Sequence, residues 1–97
     1  MNATEIADRA EHVAGHLSLL ANPNRLMILC KLAEGEQSVG ALAQALDLSQ
    51  SALSQHLAKL RAAGLVATRR ESQTIHYRIE DPDTKALMRA LYDVFCA

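Results

Sequence analysis

Leucine residues recur at helical spacing in the middle of the chain, and mostly polar residues separate them. Leu53, Leu57 and Leu60 fall at i, i+4 and i+7, which places the three side chains on one side of a helix. Ser49 predicts the N-cap of this helix, because its hydroxyl can accept a hydrogen bond from an amide of the first turn. Gly64 predicts where the helix ends. The opposite side carries Ser, Gln and Ala with a single Lys, a composition that favours docking on another molecule.

A shorter apolar helix precedes this one. Ser38 predicts its N-cap, and the helix Val39–Leu46 has an inward stripe of Val39, Leu42, Ala43 and Leu46. Asp47–Ser49 predicts a tight turn, with Leu48 as a plug between the two helices. Two helices joined in this way predict a helix-turn-helix whose second helix enters the major groove of DNA. The residues predicted to contact DNA from this helix are Ser49, Gln50, Ser51, Ser54, Gln55, His56 and Lys59.

The segment after Gly64 has the pattern of a β-hairpin. Leu65–Arg70 is rich in strand formers, Glu71–Thr74 is polar, and Ile75–Ile79 alternates so that Ile75, Tyr77 and Ile79 point inward. A hairpin directly after the recognition helix predicts a winged helix-turn-helix, with the wing along the phosphate backbone or an adjacent minor groove. The wing residues predicted to contact DNA are Arg69, Arg70, Gln73, His76 and Arg78.

Amphipathic helices are predicted at both ends of the chain, over residues 4–21 and 83–96. Asp81 predicts the N-cap of the last helix, and Pro82 follows where a missing amide costs nothing. Such long apolar stripes on a chain of 97 residues predict a dimer interface formed by the two terminal helices. We therefore expect one domain over residues 1–97, mainly α (α+β), with about five helices and a two-stranded β-wing. The stripes comprise Ile6, Ala10, Val13, Leu17, Leu20, Leu87, Met88, Leu91, Tyr92 and Phe95.

Positive charge is concentrated in the helix-plus-wing segment. The whole chain has a net charge of −1, which argues against a general polyanion binder. From Ser49 to Arg78, however, there are five basic residues and one acid, whereas the remainder has five basic residues and ten acids. Contacts with backbone phosphates require such a local excess. The alternative is chance clustering on a solvated hairpin.

Several other classes of protein are disfavoured. The acidic first turns lack the apolar region of a signal peptide, and no apolar run is long enough to span a bilayer, so we expect a cytoplasmic protein with reduced thiols. No Gly-rich phosphate loop, nucleophile elbow or zinc-hydrolase motif is present, which argues against an enzyme. A thiol-dependent enzyme using Cys30 and a distant His, and a protein-interaction module without DNA, remain as alternatives.

Three segments of this chain resemble the bacterial ArsR/SmtB repressors. They are Asn22-Pro23-Asn24-Arg25-Leu26-Met27-Ile28-Leu29, the stretch Ser49–Leu57, and Leu60-Arg61-Ala62-Ala63-Gly64-Leu65-Val66. The resemblance covers nearly the whole chain. It implies a homodimeric winged helix-turn-helix protein that represses an operator in double-stranded DNA until an inducer binds, with the first and last helices pairing across the dimer.

The two metal sites known in that family are absent from the sequence. Arsenic and cadmium sensors carry Cys-x-Cys in the helix before the turn, but Ser38–Gln44 has no Cys, His or acid. Zinc and nickel sensors carry Asp and His on the last helix, whereas Thr84–Cys96 has Asp93 and no His. A soft or borderline metal needs several convergent N or S ligands, so we expect no metal and no other cofactor.

The two cysteines, Cys30 and Cys96, resemble those of the persulfide-responsive branch of the family, which includes SqrR, BigR and YgaV. The match lies in Arg25-Leu26-Met27-Ile28-Leu29-Cys30 and in a second Cys near the end of the chain. The resemblance implies that reactive sulfur species join the two thiols of one protomer by a disulfide or a polysulfide. The alternative is that both cysteines are structural and that the repressor senses a metal or another ligand, since free Cys often packs as a small hydrophobe.

The histidines give weaker signals. His12 and His16 are one helical turn apart, a spacing compatible with zinc, but no third ligand is evident. We expect both to be ordinary surface residues.

Overall fold

The computed structural model describes all residues, Met1–Ala97, and contains six helices and three short strands. The winged helix-turn-helix fold, mainly α with a β-wing, is confirmed, with one helix and one strand more than predicted. The elements in chain order are α1 (Ala3–Ala7), α2 (Ala10–Leu20), α3 (Pro23–Ala33), β1 (Gln37–Ser38), α4 (Val39–Leu46), α5 (Gln50–Ala62), β2 (Val66–Glu71), β3 (Thr74–Ile79) and α6 (Pro82–Phe95).

The hydrophobic core is built around α3. Ile28 and Leu29 are fully buried, and α3 packs against α2, α4, α5, α6 and β3. The predicted stripe of α5 is confirmed, because Leu53, Leu57 and Leu60 are each at most 1% exposed. Burying a leucine side chain contributes about 1.5–3 kcal/mol, so this stripe fixes which side of α5 faces outward. The remaining buried apolar residues are Leu20, Leu32, Leu42, Leu65, Val66, Ile79 and Met88.

The connection between α4 and α5 forms as the sequence predicts. The hydroxyl of Ser38 accepts from the Ala41 amide at 3.1 Å, and that of Ser49 accepts from the Ala52 amide at 3.2 Å. Asp47 adopts a left-handed conformation with φ of 52°, which short polar residues tolerate better than most. Leu48 packs against the core. These caps and the plug set the angle at which α5 leaves α4.

The wing is a regular antiparallel hairpin with a tighter turn than predicted. Its register runs from Val66 opposite Ile79 to Glu71 opposite Thr74. Glu71 and Thr74 therefore form the last rung, and only Ser72 and Gln73 make the turn, with Ser72 at φ of 56°. The predicted strand start at residue 65 and turn over residues 71–74 were wrong by one residue at each boundary.

The third strand, β1, was not predicted. It pairs with β3 so that Gln37 lies opposite Tyr77 and Ser38 opposite His76, which makes β3 the central strand of the sheet. A two-residue strand has too little pattern to be seen in sequence. His76, which lies opposite Ser38 in this pairing, is half-buried.

The first predicted helix is broken. The structure has α1 and α2 separated at Asp8 and Arg9, where Arg9 has φ of −117°. No proline or glycine causes the break, but α1 has no buried residue, and most helical stability in proteins comes from packing. The last helix begins at Pro82, one residue before the prediction, and the cap by Asp81 is confirmed. None of the helices has the length and apolar character needed to cross a membrane.

A polar cluster joins α2 to α6. The buried Thr84 hydroxyl donates to Asp81 Oδ2 at 2.6 Å and lies 3.2 Å from His16 Nε2. The bond from the Thr84 side chain is the main reason why the pKa of Asp81 is lowered. His16 is half-buried, so its assignment as an ordinary surface residue was wrong. The Thr84 hydroxyl that His16 contacts belongs to α6, and the spacing of residues within α2 cannot reveal a contact with such a distant helix.

Candidate nucleic-acid interface and cysteine pair

One side of α5 is exposed along its whole length. Because its leucines are buried, the polar side faces away from the protein. Ser49 has a structural role as well, since its hydroxyl caps α5 and lies 3.3 Å from the Ser51 hydroxyl. The predicted contact residues that are exposed on this side are Ser49, Gln50, Ser51, Ser54, Gln55 and Lys59.

His56 differs from the other predicted contact residues because it is half-buried. Burial lowers its pKa, and the positive charges of Arg25 and Lys59 lower it further. A histidine with a pKa below its ordinary value of 6.5 is mostly neutral at pH 7. His56 is therefore suited to a neutral hydrogen bond more than to an ionic contact with phosphate.

Arg25 has a role that sequence reasoning missed. Its Nε donates to the carbonyl of Leu19 at 2.7 Å, and one terminal nitrogen donates to the carbonyl of Ser18 at 3.3 Å. These are free carbonyls at the carboxyl end of α2, where a positive charge also stabilises the helix. Arg25 therefore fixes the corner between α2 and α3. In the sequence, only the position of Arg25 just after the Asn22 cap and Pro23 could have indicated this role.

The predicted wing residues fall into two groups. Arg69 is held by two carboxylates: its guanidinium lies 2.7 Å from Glu36 and 2.8 Å from Glu71. The hydrogen bond to Glu36 is the main cause of the raised pKa of Arg69, and the same bond lowers the pKa of Glu36. Arg78 pairs with Glu80 at 3.1 Å and is half-buried. By contrast, Arg70 is exposed without a carboxylate partner, and Gln73 is exposed at the turn.

The two cysteines lie on α3 and at the carboxyl end of α6. Cys30 is half-buried against the core, whereas Cys96 is exposed. Burial raises the pKa of Cys30, and the nearby charges of Cys96 and Glu34 raise it further. The backbone amide of Cys96 donates to the Tyr92 carbonyl at 2.8 Å, so the last turn of α6 is intact at this position.

A groove with a volume of about 860 Å³ opens beside Cys30. It runs between α3, the loop Glu34–Glu36, β3 and α6. Its floor is largely apolar, and Arg78, Lys85 and Arg89 contribute positive charge to its rim. Cys30 therefore lies next to a space large enough for a small molecule.

We expect Cys96 to be alkylated faster than Cys30 at pH 8, because the thiolate is the reactive form and Cys30 is both less accessible and raised in pKa. In Cys96→Ser, the pH profile of Cys30 should move to lower pH, since the neighbouring charge is gone while burial remains. Iodoacetamide labelling followed by mass spectrometry measures both rates. The two rates should converge in denaturant, and faster labelling of Cys30 in the folded protein would contradict this arrangement.

Comparison with protein families gives one matching description, "Bacterial regulatory protein, arsR family", over residues 22–68. The Rhizobium meliloti nodulation protein NolR is 54% identical over 86 residues, covering 89% of this chain and 70% of NolR. The Vibrio cholerae transcriptional activator HlyU is 46% identical over 96 residues, covering 99% of this chain and 89% of HlyU.

Solved structures agree with the fold. The transcriptional repressor BigR from Xylella fastidiosa superposes with a TM-score of 0.94 at 44% identity, covering 100% of this chain and 99% of BigR. Reduced HlyU from V. cholerae superposes with a TM-score of 0.90 at 45% identity, covering 96% of this chain and 98% of HlyU. A homodimeric winged helix-turn-helix DNA-binding domain from Mycobacterium bovis superposes with a TM-score of 0.76 at 35% identity, covering 90% of this chain and 84% of that domain.

Proposed function

This chain belongs to the ArsR family and is a DNA-binding transcriptional regulator, and we propose that it is a homodimeric repressor whose affinity for DNA is controlled by Cys30 and Cys96. The observation that carries the proposal is that α3, which carries Cys30, packs against α6, which ends at Cys96, and that both thiols are free. A bridge between them would restrain two helices that otherwise pack only through side chains. BigR is described as a repressor, which supports the direction of regulation.

Sequence readout is assigned to the exposed polar side of α5. Gln50, Ser51, Ser54 and Gln55 lie at its beginning and outer face, where recognition helices contact base edges. Their hydroxyl and amide groups can donate to or accept from bases in the major groove. The buried leucine stripe supports this assignment, because it holds α5 rigidly with this side outward.

Ser54→Ala and Gln55→Ala should each weaken binding to the operator by about 1–3 kcal/mol, or roughly 5- to 150-fold in affinity, if each side chain makes a good base contact. Binding to non-operator DNA should change little. Fluorescence anisotropy with both DNAs measures the difference, and Ser18→Ala on the exposed side of α2 is the matched control. Unchanged operator preference in both α5 variants would remove these residues from the readout.

Contacts with the phosphate backbone are assigned to the wing, and its basic residues differ in how freely they can make them. Arg70 is free to approach a phosphate, and Gln73 lies at the turn beside it. Arg69 would first have to leave Glu36 and Glu71, and Arg78 would have to leave Glu80. These ion pairs are exposed, so water and salt screen them and an exchange for phosphate is possible.

Arg70→Gln should weaken binding to all DNA sequences about equally and reduce the salt slope by about 1, since fewer counterions are released. Arg69→Gln should have a smaller effect, because Glu36 and Glu71 already neutralise this charge. Glu36→Gln should strengthen binding by releasing Arg69. Titrations at several salt concentrations test all three. A loss confined to one base pair, or equal effects of Arg69→Gln and Arg70→Gln, would contradict this division.

Dimerisation is assigned to the terminal helices. Ile6, Leu17, Val94 and Phe95 are 55%, 48%, 71% and 78% exposed in the isolated protomer. Large apolar side chains concentrated at α1, α2 and α6 favour association with a second copy. The homodimeric state of the M. bovis domain supports the same arrangement. A symmetric dimer would place two recognition helices at half-sites about 34–36 Å apart.

Reactive sulfur species are proposed as the inducer. A disulfide requires Cα atoms about 4.4–6.8 Å apart, and each inserted sulfur adds about 2 Å of reach. A polysulfide therefore tolerates a wider separation of α3 and α6 than a peroxide-derived disulfide does. The structure of reduced HlyU supports the idea that the redox state of a relative is significant.

The reduced protein should bind its operator, and bridging Cys30 to Cys96 should release it, because the bridge changes how α6 packs on α3 and hence the spacing of the two recognition helices. A coupling of about 1–3 kcal/mol corresponds to roughly 5- to 150-fold weaker binding. The measurement is operator affinity of wild type, Cys30→Ser and Cys96→Ser before and after treatment with a persulfide.

Both serine variants should bind DNA and ignore the persulfide, and dithiothreitol should restore binding by the wild type. Intact mass in the same samples reports the number of sulfur atoms in the bridge. Normal release in either variant would exclude the dithiol mechanism. Release by a metal ion with both thiols free would favour a metal-sensing repressor with structural cysteines.

A further inference from the structure

An open cleft lies between α5 and the wing. It has a volume of about 450 Å³ and is lined by Ser54, Ala58, Arg61, Ala62 and Tyr77. The first four residues belong to α5, and Tyr77 belongs to the central strand β3. Neither Arg61 nor Tyr77 is among the residues assigned above to contacts with DNA. The cleft therefore adds two polar side chains at the border of the recognition helix.

The α5 residues of the cleft form a stripe beside the readout side of the helix. Ser54, Ala58 and Arg61 fall at i, i+4 and i+7, so they share one side of α5. At 3.6 residues per turn, this stripe lies about 90° around the helix from the buried leucine stripe. Ser54 also belongs to the residues assigned to sequence readout. The cleft is thus continuous with the surface proposed to face the bases.

A helix in the major groove has its two flanks against the walls of the groove. An α-helix with its side chains is about 10–12 Å across, and the major groove of B-DNA is about 12 Å wide. The walls are the two sugar-phosphate backbones. When the side opposite the leucines faces the bases, the stripe of the cleft faces one of these backbones. Because Tyr77 lines the cleft from the sheet, that DNA strand passes between α5 and the wing.

The two polar side chains of the cleft have no partner within the protein. Arg61 is exposed and belongs to no ion pair. The Tyr77 hydroxyl makes no hydrogen bond. Solvent reaches this hydroxyl, since no buried side-chain oxygen or nitrogen lacks a partner. A guanidinium and a phenolic hydroxyl can both donate to a phosphate oxygen.

The surroundings of the two donors suit a sugar-phosphate backbone. Tyr77 is half-buried and packs against the core, so its hydroxyl is held in place before DNA binds. Ala58 and Ala62 are exposed and have the shortest apolar side chain, which lets a deoxyribose approach α5 closely. Arg61 differs in this respect from Arg69, whose charge is already shared by two carboxylates.

We propose that this cleft binds one backbone phosphate of the operator, with Arg61 and the Tyr77 hydroxyl donating to its oxygens and the two alanines against the adjacent deoxyribose. The proposal rests on the placement of α5 in the major groove proposed above, and it adds a phosphate contact separate from that of the wing turn. A phosphate held where the helix meets the wing fixes the register of both elements on the duplex and carries no sequence information.

Arg61→Gln should weaken binding to operator and non-operator DNA alike by about tenfold per protomer, because a charge-assisted hydrogen bond is lost. The slope of log affinity against log salt should fall by about 1 per protomer. Tyr77→Phe should weaken binding by about three- to tenfold without changing that slope, since a neutral donor releases no counterion. Fluorescence anisotropy at several salt concentrations measures both quantities. Lys85→Gln, an exposed charge change on α6, is the matched control and should leave the slope unchanged.

Neutral methylphosphonates locate the phosphate on the DNA. They are placed one at a time in a duplex that carries the site selected by wild type from random sequences. At one position in each half-site, the substitution should weaken wild type about as much as Arg61→Gln does, and Arg61→Gln should lose nothing further there. Arg70→Gln should still be weakened at that position, because the wing turn contacts a different phosphate.

Thermal unfolding of the free proteins separates this role from a structural one, since Arg61 also lies in the last turn of α5 and can stabilise the helix end. A lower Tm of Arg61→Gln with an unchanged salt slope would overturn the phosphate site. So would the absence of any methylphosphonate position at which wild type and Arg61→Gln converge; the readout and wing assignments would then stand. If Ser54→Ala and Arg70→Gln also leave DNA affinity unchanged, the placement of α5 in the major groove fails as well.

Discussion

Burial of α3 is the constraint on which the rest of the structure depends. Ile28 and Leu29 are fully buried, and five other elements pack against this helix. A core this small has few residues to spare, so a shift of α3 must be transmitted to its neighbours. Cys30 follows Leu29 directly and faces the groove. The covalent chemistry proposed at Cys30 would therefore act on the helix against which these five elements pack.

Local patterns gave the helix-turn-helix unit almost completely. The caps at Ser38 and Ser49 and the leucine stripe of α5 depend on neighbours within a few residues, and each formed as predicted. The exposed polar side of α5 followed from that stripe. The family resemblance added the cysteine pair, which spacing alone could not connect because Cys30 and Cys96 are distant in sequence.

Most of the features that sequence reasoning missed involve partners far along the chain. The strand β1 pairs with β3, Thr84 meets His16, and Arg69 meets Glu36. In each case both side chains look like ordinary surface residues within their own segment. Only the packing of α3 against β3 and α6 brings them together. The break between α1 and α2 also depends on tertiary packing, because α1 has no buried residue to hold it in line with α2.

The pairing of Arg69 with Glu36 joins the wing to the loop beside Cys30. Glu36 lines the groove beside Cys30, and its carboxylate holds a wing guanidinium at 2.7 Å. The loop that carries Glu36 follows α3 directly, so displacement of α3 moves this carboxylate relative to the wing. A phosphate and Glu36 compete for the same positive charge, because Arg69 cannot satisfy both with full hydrogen-bond geometry. If Arg69 contacts phosphate as proposed, the geometry of this loop affects DNA affinity even when the recognition helix does not move.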